Sequence, residues 1–275
     1  MSTPTPPSSH NGPVTIVTGG TFGLGLAISV ELARRGHHVI AFGLEQAQVS
    51  SLAQGLDRIK EAATRAGVLE KISVLAADVS NEADVQRVVD EAMVRHGRID
   101  GLVNNAAIGP LGTVLSTEPD MFTRIFQVNV QGVYLMCRAV IPHMVVQGGG
   151  AIVNIGSGAG YGKPNMAAYA ASKGALLALS SAMAYDHFHE HVRVNVAIPG
   201  GGGIVSGMSV GRFGGDETLF TSRKVAGTVA GRPANGNDLA RTVAFLLSPD
   251  AATVSGTVVD VGCFANQGGP LSPTP

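Results

Sequence analysis

Charged residues, cysteines and long apolar runs are all scarce in this sequence, and each shortage argues against particular classes of protein. Asp, Glu, Lys and Arg make up 14 % of the 275 residues, with a net charge of −1. No basic block marks a nucleic-acid-binding surface. No apolar run approaches the roughly 20 residues that a transmembrane helix needs. We therefore expect a globular protein with neither nucleic-acid nor membrane partners.

Only two cysteines are present, Cys137 and Cys263, and neither belongs to a Cys-x-x-Cys or Cys/His cluster. One disulfide between them is formally allowed, but two free buried thiols in a reducing cytoplasm fit the count better. The histidine-rich stretch "DHFHEH" at 186–191 falls at a predicted helix end. That position favours a polar helix terminus over a zinc site, so we expect no metal and a cytoplasmic location.

Apolar residues, in contrast, are abundant. They make up 45 % of the chain, and the mean hydropathy is +0.24, which suits a buried parallel sheet or large subunit interfaces. The Pro- and Ser-containing ends, residues 1–12 and 266–275, are expected to be disordered tails. Residues 1–12 also lack the apolar core of a signal peptide. One domain over 13–265 remains.

Short β-branched runs alternate with segments of helical periodicity along the whole chain. Most of the runs are apolar on both faces, as parallel strands covered by helices should be. The alternation predicts an α/β fold, a doubly wound parallel sheet of about seven strands with ligands at the carboxyl edge. The predicted strands are 14–17, 38–42, 72–77, 101–105, 151–157, 192–198 and 257–262, and the predicted helices are 23–35, 81–96, 119–147, 166–190 and 237–247.

The stretch "VTGGTFGLG" at 17–25 follows the first strand and opens the first helix, with the pattern TGxxxGxG. Glycines there permit a tight turn and let the backbone approach a pyrophosphate at the helix N-terminus. The strand–loop–helix context favours dinucleotide binding over a plain turn. The predicted contacts are Thr18, Gly19, Thr21, Phe22, Gly23, Leu24 and Gly25.

The choice of dinucleotide is usually made where the second strand ends, which here is near Gly43. An acidic residue there binds the free ribose 2′-hydroxyl, whereas an arginine accommodates a 2′-phosphate. Gly43 and Leu44 carry neither group, and Glu45 either reaches the ribose or is a solvated loop residue. Phe22, not a basic residue, precedes Gly23. We predict NAD and leave NADP open.

Two more strand ends face the predicted dinucleotide. Asp78 would accept a hydrogen bond from the adenine amino group with Val79 packed nearby, or it merely starts a turn before a helix cap at Ser80 or Asn81. The stretch "NNAA" at 104–107 would let the backbone lie against a ribose, although Asn-Asn alone is a turn signal. The cofactor positions predicted there are Asn105, Ala106 and Ala107.

A serine, a tyrosine and a lysine follow at spacings that suit proton transfer. Ser157 ends the fifth strand, and Tyr169 and Lys173 lie four positions apart in "YAASK", on one helical face. The serine can donate to a carbonyl oxygen and the phenol can exchange a proton, while the ammonium should lower the tyrosine pKa. Asn129 would hold a water beside the lysine. Each residue alone is more often structural, but their shared sheet edge favours catalysis.

These residues carry a resemblance to the short-chain dehydrogenase/reductase family over residues 13–263. It implies a Rossmann-type core, an Asn129–Ser157–Tyr169–Lys173 tetrad, and a lysine that also binds the nicotinamide ribose. It further implies hydride transfer between a nicotinamide cofactor and a secondary alcohol or ketone, in a homotetramer or homodimer. The matching motifs are Thr18–Gly25, "DVS" at 78–80, "NNAA" at 104–107, Asn129, Ser157, "YAASK" at 169–173 and "PG" at 199–200.

The sequence departs from the family pattern beyond Pro199 and Gly200. The family usually has a threonine there, near the nicotinamide carboxamide, whereas this chain inserts glycines and Ser206 is the best substitute. The glycine-rich segment 201–232 is expected to be a mobile substrate lid. Its charges Arg212, Arg223 and Lys224 either meet an acidic substrate group or are solvated. The predicted substrate contacts are Ser157, Tyr161, Met166, Tyr169, Met208 and Phe213.

Two other functions fit such a fold. A non-catalytic dinucleotide sensor or scaffold usually has a broken tetrad, and all four residues are present here. A lyase or epimerase would keep the nucleotide bound and show no net change in cofactor absorbance.

Overall fold

The computed structural model describes residues 12–44, 52–200, 202, 204–225 and 227–269, without the side chains of residues 52–54. Its sheet has seven parallel strands in the order β3-β2-β1-β4-β5-β6-β7, which confirms the predicted doubly wound sheet. The chain reverses its direction of strand addition between β1 and β4, the place where such sheets bind ligands. The strands are β1 Val14–Thr18, β2 His38–Gly43, β3 Ile72–Ala76, β4 Gly101–Asn104, β5 Gly150–Ile155, β6 Val192–Ile198 and β7 Val258–Asp260.

Helices cover both faces of the sheet. One apolar core lies between the sheet and α1, α2 and α9, and a second lies between the sheet and α3, α5 and α6. Neighbouring strand residues alternate between the two, so Ile16 belongs to one core and Val17 to the other. The helices are α1 Gly23–Arg34, α2 Leu52–Ala66, α3 Glu82–His96, α4 Pro119–Phe126, α5 Gly132–Val146, α6 Ala167–Asp186, α7 Gly207–Gly211, α8 Glu217–Thr221 and α9 Gly236–Leu247.

Four predicted strands end earlier in the structure, at Ala76, Asn104, Ile155 and Asp260. The residues beyond them leave the sheet and form loops at its carboxyl edge. The predicted helix 119–147 is also interrupted, because a five-residue π-helical turn, Gln127–Gln131, separates α4 from α5. Such turns are rare and often occur at functional sites.

Two helices were not predicted. In α2 the apolar residues Leu56, Ile59, Ala63 and Ala66 recur at helical spacing, so the sequence carried a signal for this helix that the prediction missed. In α7 a glycine stands at each end, which is unfavourable for a helix. A capping box between Ser206 and Ser209 stabilises α7 instead.

The chain ends correct one boundary. Residues 1–11 and 270–275 lie outside the described residues, so the tails expected there remain predictions. A short 3₁₀ turn over Ala265–Gln267, however, places residues 266 and 267 in the folded part. Ala265 N–H donates to Asp260 Oδ2 at 2.7 Å and fixes this turn.

Both cysteines are free, but only Cys137 is buried, whereas Cys263 is partly exposed. In the histidine-rich stretch, His187 Nδ1 lies 2.5 Å from Glu190 Oε2 at the end of α6. Among the described residues no group of three or more His, Cys, Asp or Glu could hold a metal ion. No helix of this part of the chain is long and apolar enough to cross a membrane.

Candidate active site

The glycine-rich loop between β1 and α1 has the shape of an anion cradle. Gly19 and Gly23 have φ values of 61° and 53°, which disfavour a side chain. A Cβ on Gly25 would lie 2.0 Å from the Gly19 carbonyl oxygen, so the turn excludes anything larger than glycine. Phe22 caps α1 without a side-chain hydrogen bond, and the first turn holds no acidic residue. The first N–H groups of α1 therefore suit a pyrophosphate.

Thr18 and Asn105 brace this loop against the end of β4. Thr18 Oγ1 accepts hydrogen bonds from the N–H groups of Asn105 and Ala106 at 2.9 and 2.8 Å. Asn105 Nδ2 donates to the carbonyl oxygens of Thr18 and Gly19 at 3.0 and 3.1 Å. Thr18 is buried and acts through these contacts, while Asn105 also reaches the cavity wall.

A cavity of about 640 Å³ runs along the carboxyl edge of the sheet, within the usual size range of cofactor sites. Ser157 lies instead on a smaller adjoining cavity of about 230 Å³. Glu45 lies outside the described residues. The predicted site residues that line the larger cavity are Gly19, Thr21, Phe22, Leu24, Gly25, Gly43, Leu44, Asp78, Val79, Asn105, Ala106, Ala107, Tyr169, Lys173, Pro199, Gly200, Ser206 and Met208.

Asp78 has partners that the sequence did not reveal. Arg124 Nη2 donates to its Oδ2 at 3.0 Å, and both the N–H and the hydroxyl of Ser80 donate to its Oδ1. Although partial burial raises its pKa, the bonds from Ser80 and Arg124 hold the pKa of Asp78 below its usual value. The helix cap is Asn81, not Ser80. Asp78 is therefore a charged wall residue fixed by α4, and Arg124 gave no signal because a helical arginine is usually solvated.

Asn129 lies fully buried in the π-helical turn. Its Oδ1 accepts from Ile108 N–H at 2.9 Å, and its Nδ2 donates to Ile108 O and Ser172 Oγ at 2.8 and 3.0 Å. Both amide hydrogens thus have protein partners, and the side chain joins the loop after β4 to α6. The water expected beside Lys173 stays a prediction.

Tyr169 and Lys173 project from α6 into the end of the cavity. Lys173 Nζ donates to the Ile155 carbonyl oxygen at 2.7 Å, where β5 ends. It lies 5.9 Å from the centre of the Tyr169 ring. Ser157 Oγ accepts from Ala159 N–H at 3.1 Å, and the serine hydroxyl lies near the Tyr169 phenol, whose ionised form it favours. The structure therefore brings Ser157, Tyr169 and Lys173 together.

The titration of this group differs from the sequence expectation. Burial raises the pKa of Tyr169, and the nearby Ser157 hydroxyl and the positive charge of Arg212 oppose that rise. Burial also lowers the pKa of Lys173 to about 8. The expectation that Lys173 lowers the tyrosine pKa overall is wrong here, because burial outweighs the neighbouring charges. The resting phenol is neutral at pH 7 and is a proton donor.

The segment predicted to be a lid, hereafter the lid segment, begins directly on the phosphate loop. A Cβ on Gly23 would lie 2.8 Å from Ser206 Cα. The Ser206 hydroxyl accepts from Ser209 N–H at 3.0 Å and caps α7, so its side chain is engaged although it lines the cavity. A Cβ on Gly109 would meet Tyr169 at 2.7 Å and Met208 at 2.9 Å. Because Gly109 has no side chain, Tyr169 and Met208 can pack directly against its backbone. The sequence did not indicate this role.

Besides Ser157, three more predicted substrate contacts do not line the larger cavity. Tyr161 is 47 % exposed on the loop after β5. Met166 pairs through its backbone with Gly112, at the start of α6. Phe213 packs edge to face on Phe220 at 5.7 Å and stabilises the lid segment. The sequence around these aromatic and methionine residues did not indicate whether their side chains point into the cavity or away from it.

One basic side chain, that of Arg58, lies beside the phosphate loop, although the sequence motifs did not indicate it. Arg58 on α2 places its guanidinium carbon 4.5 Å from the centre of the Phe22 ring. Glu217 of the lid segment lies 3.8 Å from Arg58 Nη1. A positively charged side chain therefore lies near the predicted adenosine-binding part of the cavity. It belongs to α2, whereas the family pattern would place it at the end of β2.

The buried amine of Lys173 has a measurable effect on stability. Burial lowers its pKa from 10.5 to about 8, so between these pH values the unfolded chain binds more protons than the folded one. The folded state is penalised below pH 8, and the penalty is lost as the pH rises to 10.5. We expect the free energy of unfolding of the wild type, relative to Lys173→Met, to rise by up to about 3 kcal/mol over this range.

Urea unfolding at several pH values measures this difference. Lys60→Met, at an exposed position of α2, is the control for loss of one positive charge. A difference between wild type and Lys173→Met that stays flat or falls with pH contradicts the effect of burial.

Comparisons with known proteins agree with this geometry. The family model described as short chain dehydrogenase matches residues 13–210. The 2-(R)-hydroxypropyl-CoM dehydrogenase of Xanthobacter autotrophicus is 35 % identical over 90 % of this chain and 95 % of its own. Cyclopentanol dehydrogenase of Comamonas sp. is 36 % identical over 93 % and 98 %. The crystal structure of 3-ketoacyl-(acyl-carrier-protein) reductase from Brucella melitensis complexed with NADH is 31 % identical, with a TM-score of 0.74 over 94 % of this chain and 100 % of that chain. The chain belongs to the short-chain dehydrogenase family and is an oxidoreductase.

Proposed function

We propose that the protein is a nicotinamide-dependent dehydrogenase that interconverts a secondary alcohol and its ketone through the tetrad Asn129, Ser157, Tyr169 and Lys173. One observation carries the proposal: a neutral phenol lies near a serine hydroxyl and a buried amine, at the end of a cavity that starts at a phosphate cradle. A relative named for cyclopentanol supports a secondary alcohol as the substrate class.

In the proposed mechanism the chain positions the substrate oxygen and moves one proton. The nicotinamide, when bound, supplies or accepts the hydride. Ala159 N–H donates to Ser157 Oγ and orients this hydroxyl, which would donate its own hydrogen to the oxygen of a bound substrate. Tyr169 donates its proton in reduction and takes the alcohol proton in oxidation. Lys173, held by Ile155 O, places its amine where its charged form favours the phenolate.

Asn129 takes part as a positioning residue. Its bond to Ser172 Oγ fixes the turn of α6 that carries Lys173, and its bonds to Ile108 fix the loop opposite Tyr169. These three hydrogen bonds thus fix the positions of the two walls at the reaction end of the cavity.

The cofactor contacts follow from the cavity wall. We propose the pyrophosphate at the α1 N-terminus, held by Gly19, Thr21 and residues 22–25. The unused lone pairs of Asp78 face the adenine amino group, with Val79 beside it. Residues 105–107 and Lys173 lie at the nicotinamide ribose, and Pro199, Gly200 and Ser206 lie at the nicotinamide.

For the cofactor itself we propose NAD. Gly43 and Leu44 put no cation at the end of β2, so a 2′-phosphate there would lose its charge partner. Arg58 is the competing feature, since it stands over Phe22.

We expect kcat/KM for NAD to exceed that for NADP at least about tenfold, the effect of one lost charge-assisted hydrogen bond. Arg58→Gln should leave the NAD value within about twofold, because NAD carries no 2′-phosphate. Arg65→Gln, exposed on the same helix and paired with Glu61, is the control. A preference for NADP that disappears in Arg58→Gln overturns the choice of NAD.

We also propose that the chain assembles as a homotetramer or homodimer. Apolar side chains stand exposed near α4 and α5: Val114 (81 %), Leu115 (96 %), Phe122 (44 %) and Tyr134 (49 %). Clusters of this kind mark interaction surfaces. Light scattering after gel filtration should give two or four chain masses, and Phe122→Glu, which adds a charge to this surface, should lower the mass. A wild-type monomer at micromolar concentration contradicts the proposal.

We place the enzyme in the cytoplasm. Cys137 and Cys263 are both free, and free thiols are typical of a reducing compartment.

Tyr169→Phe tests the mechanism. Removing the phenol hydroxyl should lower kcat on secondary alcohols about 10²- to 10⁴-fold, the usual contribution of a proton-transfer group. NADH binding, followed by fluorescence, should stay close to wild type. Tyr185→Phe is the matched control, because Tyr185 lies on the same helix but is 82 % exposed. The assay is the change in cofactor absorbance on a panel of alcohols and ketones.

The outcomes separate the competing functions. Full activity of Tyr169→Phe refutes the tetrad mechanism. NADH binding without any turnover on the panel favours a sensor. Turnover of substrate without a net change in cofactor absorbance favours a lyase or epimerase.

A further inference from the structure

Arg212 lies at the end of α7, on the wall of the larger cavity beside the proton-transfer group. Its guanidinium carbon is 5.8 Å from the centre of the Tyr169 ring. Nη2 donates to the Gly109 carbonyl oxygen at 2.7 Å, which holds the guanidinium over the reaction end of the cavity. A permanent positive charge therefore stands next to the place where the substrate reacts.

The protein leaves this guanidinium incompletely bonded. Nε of Arg212 is shielded from solvent and has no hydrogen-bond partner among the described residues. No described carboxylate lies within ion-pair distance of it. Buried polar groups normally have partners, and one without a partner calls for an explanation. A bound ligand is the simplest partner at a cavity wall.

Another arginine of the lid segment shows the contrast. Arg223 donates through Nε to Phe220 O at 2.8 Å and through Nη2 to Gly202 O at 3.1 Å. Its guanidinium also stacks on Phe220, at 4.1 Å from the ring centre. Arg223 is thus explained by the packing of the lid segment, whereas Arg212 is not.

The charge of the cavity wall points the same way. The basic side chains that line it are Arg124, Lys163, Lys173, Arg212 and Arg223, and the acidic one among the described residues is Asp78. Asp78 is paired with Arg124. At the reaction end the wall therefore carries positive charge with no internal counter-ion, and such a cavity concentrates anions.

We propose that Arg212 is the anion-binding residue of the substrate subsite, so that the preferred substrate is a secondary alcohol or ketone bearing an oxyanion group. The oxyanion, a carboxylate, sulfonate or phosphate, lies a few bonds from the reacting carbon. The planar guanidinium binds such groups through paired N–H donors. The bond to Gly109 O keeps it in place in the meantime. This inference rests on the proposed dehydrogenase activity and specifies its substrate class.

A matched pair of substrates tests it: 3-hydroxybutanoate, which is anionic, and its methyl ester, which is neutral. We expect wild-type kcat/KM to favour the acid at least about tenfold, the effect of a charge-assisted hydrogen bond. Arg212→Gln should lower the value for the acid about ten- to hundredfold, mainly through KM, and that for the ester less than about threefold. Arg138→Gln, exposed on α5, is the control for loss of charge.

Inhibition gives a second measurement that does not depend on finding the best substrate. Butane-1-sulfonate and butanoate should compete with the neutral substrate cyclopentanol in the wild type. Their inhibition constants should rise at least about tenfold in Arg212→Gln and only partly in Arg212→Lys, which keeps the charge but not the planar fork. Thermal unfolding of each variant shows whether the fold is retained.

The failures are distinguishable. If neither neutral nor anionic alcohols are oxidised, the proposed dehydrogenase activity is wrong. If neutral alcohols are turned over, while anions neither react faster nor inhibit more strongly in the wild type than in Arg212→Gln, the anion subsite is wrong.

Discussion

The hydrogen bond from Lys173 Nζ to the last carbonyl of β5 is the contact on which the site depends. It ties α6 to the carboxyl edge of the sheet, and Tyr169 stands one turn earlier on the same helix. Asn129 ties the preceding residue, Ser172, to the loop after β4. Ser157, Tyr169 and Lys173 therefore meet because α6 is joined to a strand end and to a π-helical turn at two adjacent residues, 173 and 172. Burial that fixes the position of the Lys173 amine also disfavours its charged form, and this lowers the stability of the folded state.

The sheet and its phosphate loop could be predicted from the sequence because their signals are local. Strands apolar on both faces and glycines directly after β1 gave the doubly wound sheet and its loop. The order of motifs predicted that Ser157, Tyr169 and Lys173 meet at one sheet edge, as they do. Strand ends were less certain, since Asn105 and Ser157 leave the sheet although their runs look continuous.

The missed features are pairs that distant segments form. Arg124 meets Asp78 across 46 residues, and Arg212 meets the Gly109 carbonyl across 103. Nothing in the periodicity of a helix tells which of its arginines will turn toward a cavity. The direction of the Tyr169 titration was missed for a related reason. The sequence showed the lysine but not the depth of burial, and burial decides the sign.

The contact between Gly23 and Ser206 constrains how this protein can change over time. Any side chain at Gly23 would meet the backbone of residues 205 and 206 as well as an unfavourable φ. The sequence of the phosphate loop and the backbone conformation of the lid segment therefore constrain each other. During evolution, substitutions on the outer face of the lid segment are compatible with this contact. The backbone at residues 205 and 206, however, can move only together with a change at Gly23.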